Sequence, residues 1–141
     1  MFYDQRTTVP DAPSDLREEY EADLEAAVED VGLEAAAAET DVDEERLEAL
    51  LAGDSPELTL EEAARIQSLA EGEPDPVTIE TMATEHLLLG MSTAVLDVEA
   101  VESELNGDLE AKEIQQKIER RAPMTLEEFA RIQWVIVDRS P

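Results

Sequence analysis

The sequence predicts an all-α protein, an internally duplicated small helical bundle. Three observations carry that expectation. Apolar residues recur at three- and four-residue steps along most of the chain, and no segment alternates apolar and polar residues as a half-buried strand does. Thr59 with Glu62, and Thr125 with Glu128, have the spacing of capping boxes, in which a hydroxyl and a carboxylate satisfy backbone N–H groups at a helix start. Finally, "LTLEEAARIQ", Leu58 to Gln67, returns as "MTLEEFARIQ", Met124 to Gln133, identical at eight of ten positions.

Residues 1–13 hold two prolines and no long periodic pattern, which reads as an N-terminal tail packing locally through Phe2 and Tyr3. Leu16, Tyr20, Leu24, Ala27, Val28 and Val31 form the stripe of a first helix, with Ser14 or Asp15 as its cap and Gly32 at its end. Leu33 to Glu39 is a short Ala-rich helix whose Ala36 and Ala37 suit close packing. Asp41 and Glu44 have capping-box spacing for a third helix buried through Leu47, Leu50 and Leu51 and stopped by Gly53. Thr59 starts a fourth, with Leu58 as the apolar residue before the cap and Ala63, Ile66 and Leu69 inward.

"EGEPDP", residues 71–76, divides a first half (14–70) from a second (77–138). The second half opens with a central apolar helix from Thr78 to about Gly90, carrying Ile79, Met82, Leu87 and Leu89, with Gly90, Ser92 and Thr93 marking its end. Val98, Val101 and Leu105 mark a short helix, and Ile114 and Ile118 another. The last, "TLEEFARIQWVIVDR", turns Phe129, Ile132 and Ile136 inward. With one gap at the turn, residues 41–56 lie over 108–123, so that Leu47 falls on Ile114, Leu51 on Ile118 and Pro56 on Pro123. The identities Arg65/Arg131 and Gln67/Gln133 go beyond capping. They serve either as contacts to the sister half or as residual similarity from duplication.

Charge dominates the composition: 37 acidic side chains against 10 cationic ones, a net charge of −27. Disorder is one consequence of such a balance, but the periodic apolar positions argue against it. A nucleic-acid mimic is a second reading. The third, which we favour, is a cytoplasm of multimolar salt, where an acidic surface maintains solubility and self-repulsion is screened within about 3 Å. The absence of cysteine excludes disulfides and thiolate chemistry. No apolar run reaches the ~20 residues of a membrane span, and the N-terminus lacks the order of a secretory signal. The expectation is a soluble cytoplasmic protein.

Leu33 to Ala70 resembles the four-helix helix-turn-helix module of the phage-repressor type. Ala36 and Ala37 stand at its small packing positions, Thr40-Asp41-Val42 at its turn, Glu44 to Leu51 at its recognition helix, and Gly53 with Pro56 at its exit. A weaker copy covers residues 101–136. The whole chain also resembles a family of small, uncharacterised acidic proteins of haloarchaea, which implies host and fold but no mechanism. Residues 41–54 depart from a DNA reader: they hold six acids and one cation, Arg46, where phosphates and base edges call for donors.

The second half offers the one locally neutral stretch, with four cations and four acids between Asp108 and Arg121. Lys112, Gln115, Gln116, Lys117, Arg120 and Arg121 are the candidate nucleic-acid contacts, since glutamine and lysine suit purine edges and phosphates. Ordinary pairing with neighbouring glutamates is the competing reading. Trp134 and Val137 lie off the stripe of the last helix and are candidate protein contacts; alternatively Trp134 closes the seam between halves. Nothing suggests catalysis: the phosphate loop, the nucleophile elbow and HExxH are all missing. His86, the only histidine, is expected to make one hydrogen bond at a boundary, so no catalytic, metal or cofactor site is assigned, and a small-ligand pocket in 87–97 lacks support. The expected function is a non-enzymatic regulator or adaptor that contacts a protein partner or itself. The alternative is a DNA-binding transcriptional regulator using the second half. Neither a membrane nor a small-molecule substrate is implied.

Overall fold

In the computed structural model, which describes residues 1–141, the chain forms eight helices. They are α1 (Pro13–Val31), α2 (Leu33–Thr40), α3 (Glu44–Leu51), α4 (Leu60–Gln67), α5 (Pro76–Ala94), α6 (Val98–Glu104), α7 (Ala111–Ile118) and α8 (Leu126–Asp138). The protein is an all-α bundle, as the periodicity predicts.

Several boundaries differ from the expected ones for identifiable reasons. Neither Ser14 nor Asp15 caps α1. Its N-cap is Ala12, and Pro13 opens the helix with a φ already suited to it. Asp41 and Glu44 form no capping box. Asp41 instead takes the left-handed conformation that ends α2, and Asp43 precedes α3 without a side-chain cap. That turn buries Val42, whose N–H reaches the Thr40 hydroxyl at 3.3 Å. Helix α5 begins at Pro76, capped by Asp75, and runs through Gly90 to Ala94 instead of stopping there. Gly90 marks a close approach of helices: a Cβ at this position would lie 2.7 Å from Ile136 Cγ2 of α8.

The core is one continuous cluster of 32 buried apolar residues. It is organised by α1 against α8, α4 against α5, and α5 against α8. Residues from both sides of the 71–76 segment share this core. The N-terminal residues belong to it as well. Phe2 is buried, its ring edge-on to Tyr20 at 6.2 Å and Phe129 at 5.9 Å. Burying such a side chain contributes roughly 1.5–3 kcal/mol.

The repeated decapeptides meet each other. Leu60 N–H donates to the Met124 carbonyl at 2.7 Å, and Leu126 N–H donates to the Leu58 carbonyl at 2.8 Å, a two-bond antiparallel bridge centred on Thr59 and Thr125. Leu58, Leu60, Met124 and Leu126 are buried beneath it, while the two threonines are half-buried. The chemistry of a helix start accounts for the shared Thr and Glu of the two copies. The first N–H groups of a helix lack internal partners. In α4, Glu62 N–H donates to the Thr59 hydroxyl and Thr59 N–H to the Glu62 carboxylate; Thr125 and Glu128 repeat this in α8. The bridge satisfies the N–H of the first helical residue in each copy. Each decapeptide is therefore a cap that is completed by the other.

Candidate functional site

Three surfaces are candidates for contact with other molecules: the seam beside the bridge, α7 with the two arginines after it, and the last two turns of α5.

The seam carries paired charge. Arg46 reaches from α3 to grip Glu62 with two nitrogens, at 2.8 and 2.6 Å, and Lys117 reaches from α7 to Glu128 at 2.6 Å. Both capping glutamates thus hold a cation as well as backbone N–H groups. The hydrogen bond from Arg46 holds the Glu62 carboxyl below its ordinary range, against the opposing effect of burial. On the far side, Arg17 of α1 donates to the carbonyls of Ser55 and Pro56 and to Glu127, tying the first turn to the start of α8.

The six residues proposed for nucleic acid do not form an open cationic face. Lys117 is committed to Glu128. Arg120 pairs with Glu80 at 3.1 Å and donates to Thr81 at 2.7 Å, Arg121 lies 3.5 Å from Glu119, and Gln115 donates to Glu119 at 3.4 Å. A polar cleft of about 380 Å³ beside the bridge brings Lys117, Arg120 and Arg121 together, but Glu61 and Glu80 line it too. Of the ten cationic side chains, Lys112 alone has no carboxylate within 4.0 Å. In α3, the residues turned to solvent are Glu44, Glu45 and Glu48.

Trp134 and Val137 are both half-buried. The Trp134 indole N–H donates to the Pro10 carbonyl at 2.8 Å and the ring packs on the core, so the N-terminal segment already engages it. Val137 borders a small pocket that also includes Arg6 and His86. His86 makes one hydrogen bond, through Nδ1 to the Tyr3 carbonyl at 2.8 Å. Arg65 and Arg131 turn back to their own halves, to Glu61 and Thr40 and to Asp108 respectively. Gln133, by contrast, crosses to α1 and accepts from the Tyr20 hydroxyl.

The third surface lies in the 87–97 stretch, where the sequence leaves the question of a pocket open. Leu89, expected to be buried with the rest of the central helix, is 49 % exposed, as is Leu88, while Val95 at the helix end is 89 % exposed. Leu88 and Met91 line a groove of about 310 Å³ completed by Val98 of α6 and Ile118 of α7. The signal was present in "HLLLGM". Three consecutive leucines span some 200° of helix, more than one buried stripe accommodates, and here only Leu87 is fully inside.

No group of three or more histidine or acidic side chains is placed to hold a metal ion, and no helix is long and apolar enough to cross a membrane. Fold and surfaces together define a strongly acidic all-α bundle of eight helices around one core, with the starts of α4 and α8 bridged, paired cations and an apolar strip on its central helix. The chain belongs to a family of unknown function, DUF5791, which it matches over residues 16–139. No curated protein and no solved structure matches it.

Proposed function

We propose that this chain is a non-enzymatic regulatory or adaptor protein of a hypersaline cytoplasm, acting through protein contacts on a duplicated helix-turn-helix-like scaffold. The pairing of its cations carries the reading. DNA binding draws much of its affinity from lysine and arginine that neutralise phosphates and release their counterions, and here nine of the ten are paired with carboxylates, with Lys112 the exception. The helix that stands where a repressor would read bases presents glutamates, which phosphates repel. The duplicated scaffold is supported by the matched capping boxes and the equal lengths of α3 and α7. The hypersaline host is supported by the net charge of −27.

The rival is DNA binding by the second half, for which Lys112 and Gln116 are the side chains left without a polar partner. Fluorescence anisotropy with mixed duplex DNA over about 0.2–2 M KCl separates the two. No saturable binding is expected at the lowest salt at which circular dichroism reports full helicity. Saturable binding that disappears when Lys112, Lys117, Arg120 and Arg121 are replaced by Glu would overturn the protein-contact reading.

A further inference from the structure

We propose that the groove between α5, α6 and α7 is the docking site for a cationic amphipathic helix of a partner protein. The proposal rests on the protein-contact reading and specifies the chemistry of the partner. Five large apolar residues are exposed, and three of them, Leu88, Leu89 and Val95, fall within the last two turns of α5 and its cap. Leu88, Met91 and Val95 follow one another at helical spacing along one face. Val98 and Ile118 extend the apolar surface onto the two neighbouring helices.

Val95 adds a separate observation. It is a β-branched residue in the left-handed conformation, at φ 56° and ψ 48°, where glycine or asparagine is usual. Its side chain is almost wholly in solvent, while the turn itself is held by the Leu96 N–H, which donates to the Met91 carbonyl at 2.9 Å, and by Leu96 packing on the core.

Charge selects the occupant. Asp97 and Glu119 border the groove, and exposed Glu85 and Glu99 lie one turn or less from it in sequence, against two cations, Arg121 3.5 Å from Glu119 and Lys112 on the same face of α7. A second copy would set the same acidic rim against itself at contact distance, where salt screens least, and a nucleic acid or an anionic membrane would do the same. A helix that places apolar side chains at i, i+3 or i+4 and i+7 into the groove, with lysine or arginine on its flanks, matches both the floor and the rim.

The full-length chain is titrated, at the lowest KCl that gives full helicity, with a labelled lysine-leucine amphipathic peptide of about 18 residues. A peptide of the same composition, scrambled to remove the apolar face, is the control. Saturable binding of the first peptide alone is expected, with methyl NMR shifts concentrated at Leu88, Met91, Val98 and Ile118. Leu88→Glu should weaken it about ten-fold while leaving the thermal melt in place, because Leu88 is already half in water. Equal binding of the scrambled peptide, shifts elsewhere, or indifference to Leu88→Glu would overturn the groove. So would a dimer seen by light scattering that Leu88→Glu dissociates. Absence of both peptide and DNA binding would remove the groove and leave the protein-contact reading in place; DNA binding lost with the four cations would remove that reading on its own.

Discussion

Gln67 and Gln133, the last identical pair of the two decapeptides, are both buried, and only Gln133 meets a polar partner. Gln133 accepts from the Tyr20 hydroxyl, whereas both amide atoms of Gln67 lie buried without a hydrogen bond. An unpaired buried amide costs on the order of 1–3 kcal/mol. Gln67→Leu should therefore stabilise the fold by about 1 kcal/mol. Gln133→Leu should destabilise it by about 1–3 kcal/mol, because it strips the Tyr20 hydroxyl of its acceptor. Denaturant unfolding of the two variants at one salt concentration checks the opposite signs; equal effects would refute the distinction.

Phe2 should behave as a core residue despite its place near the start of the chain. Phe2→Ala removes a fully buried ring from between Tyr20 and Phe129, and a loss of about 3–5 kcal/mol is expected. A variant that melts with the parent would show that residues 1–13 do not contribute to the core in solution.

Stability should fall at both ends of the pH scale, through different groups. The Glu62 carboxyl is held below its ordinary value of 4.5, chiefly by Arg46, so its contribution is complete above that value and disappears as pH drops through the lower folded one. Glu62→Gln should flatten this acid limb. Tyr20 is displaced the other way, chiefly by burial, to about 12 from an ordinary 10.0. Its contribution is intact below about pH 10 and is lost as pH rises toward 12. Thermal melts across pH in parent and Glu62→Gln chains test both limbs.

Added KCl should raise helicity and melting temperature. At −27 the folded chain repels itself, and a screening length of about 3 Å at 1 M removes most of that repulsion between exposed carboxylates. Circular dichroism from dilute buffer to multimolar KCl measures the gain. Full helicity in dilute buffer with no gain on adding salt would remove the support for a hypersaline host.

Features specified by neighbouring residues could be inferred from the sequence. The Thr59 and Thr125 capping boxes formed as expected because the hydroxyl, carboxylate and N–H groups of each lie within four residues, whereas the carbonyl that each helix start takes from the other copy could not be foreseen. The Asp41–Glu44 spacing is the same, yet no box formed: burying Val42 requires the left-handed turn at Asp41, and that takes Asp41 away from the helix start. The insertion of Phe2, the packing of α1 on α8 and the pairing of Arg120 with Glu80 all depend on residues far apart in sequence, which no local period encodes. The α7 cations looked available for the same reason, since their acids come mostly from other helices. The exposure of Leu88 and Leu89 was hidden by hydrophobicity itself, because an apolar helix reads as central whether or not the fold covers every side.

The junction of Phe2 with Phe129 also constrains the order in which the molecule can be made. These rings meet across 127 residues of chain, and α1 rests on α8. During synthesis the first helix therefore emerges long before its main partner exists, and each decapeptide cap lacks the carbonyl that completes it until the other has been translated. Contacts of such separation are slow to close. The nascent chain consequently leaves Tyr20 without Phe129 and Gln133 until α8 arrives, while α2, α3 and α4 are already there to cover other parts of the first helix.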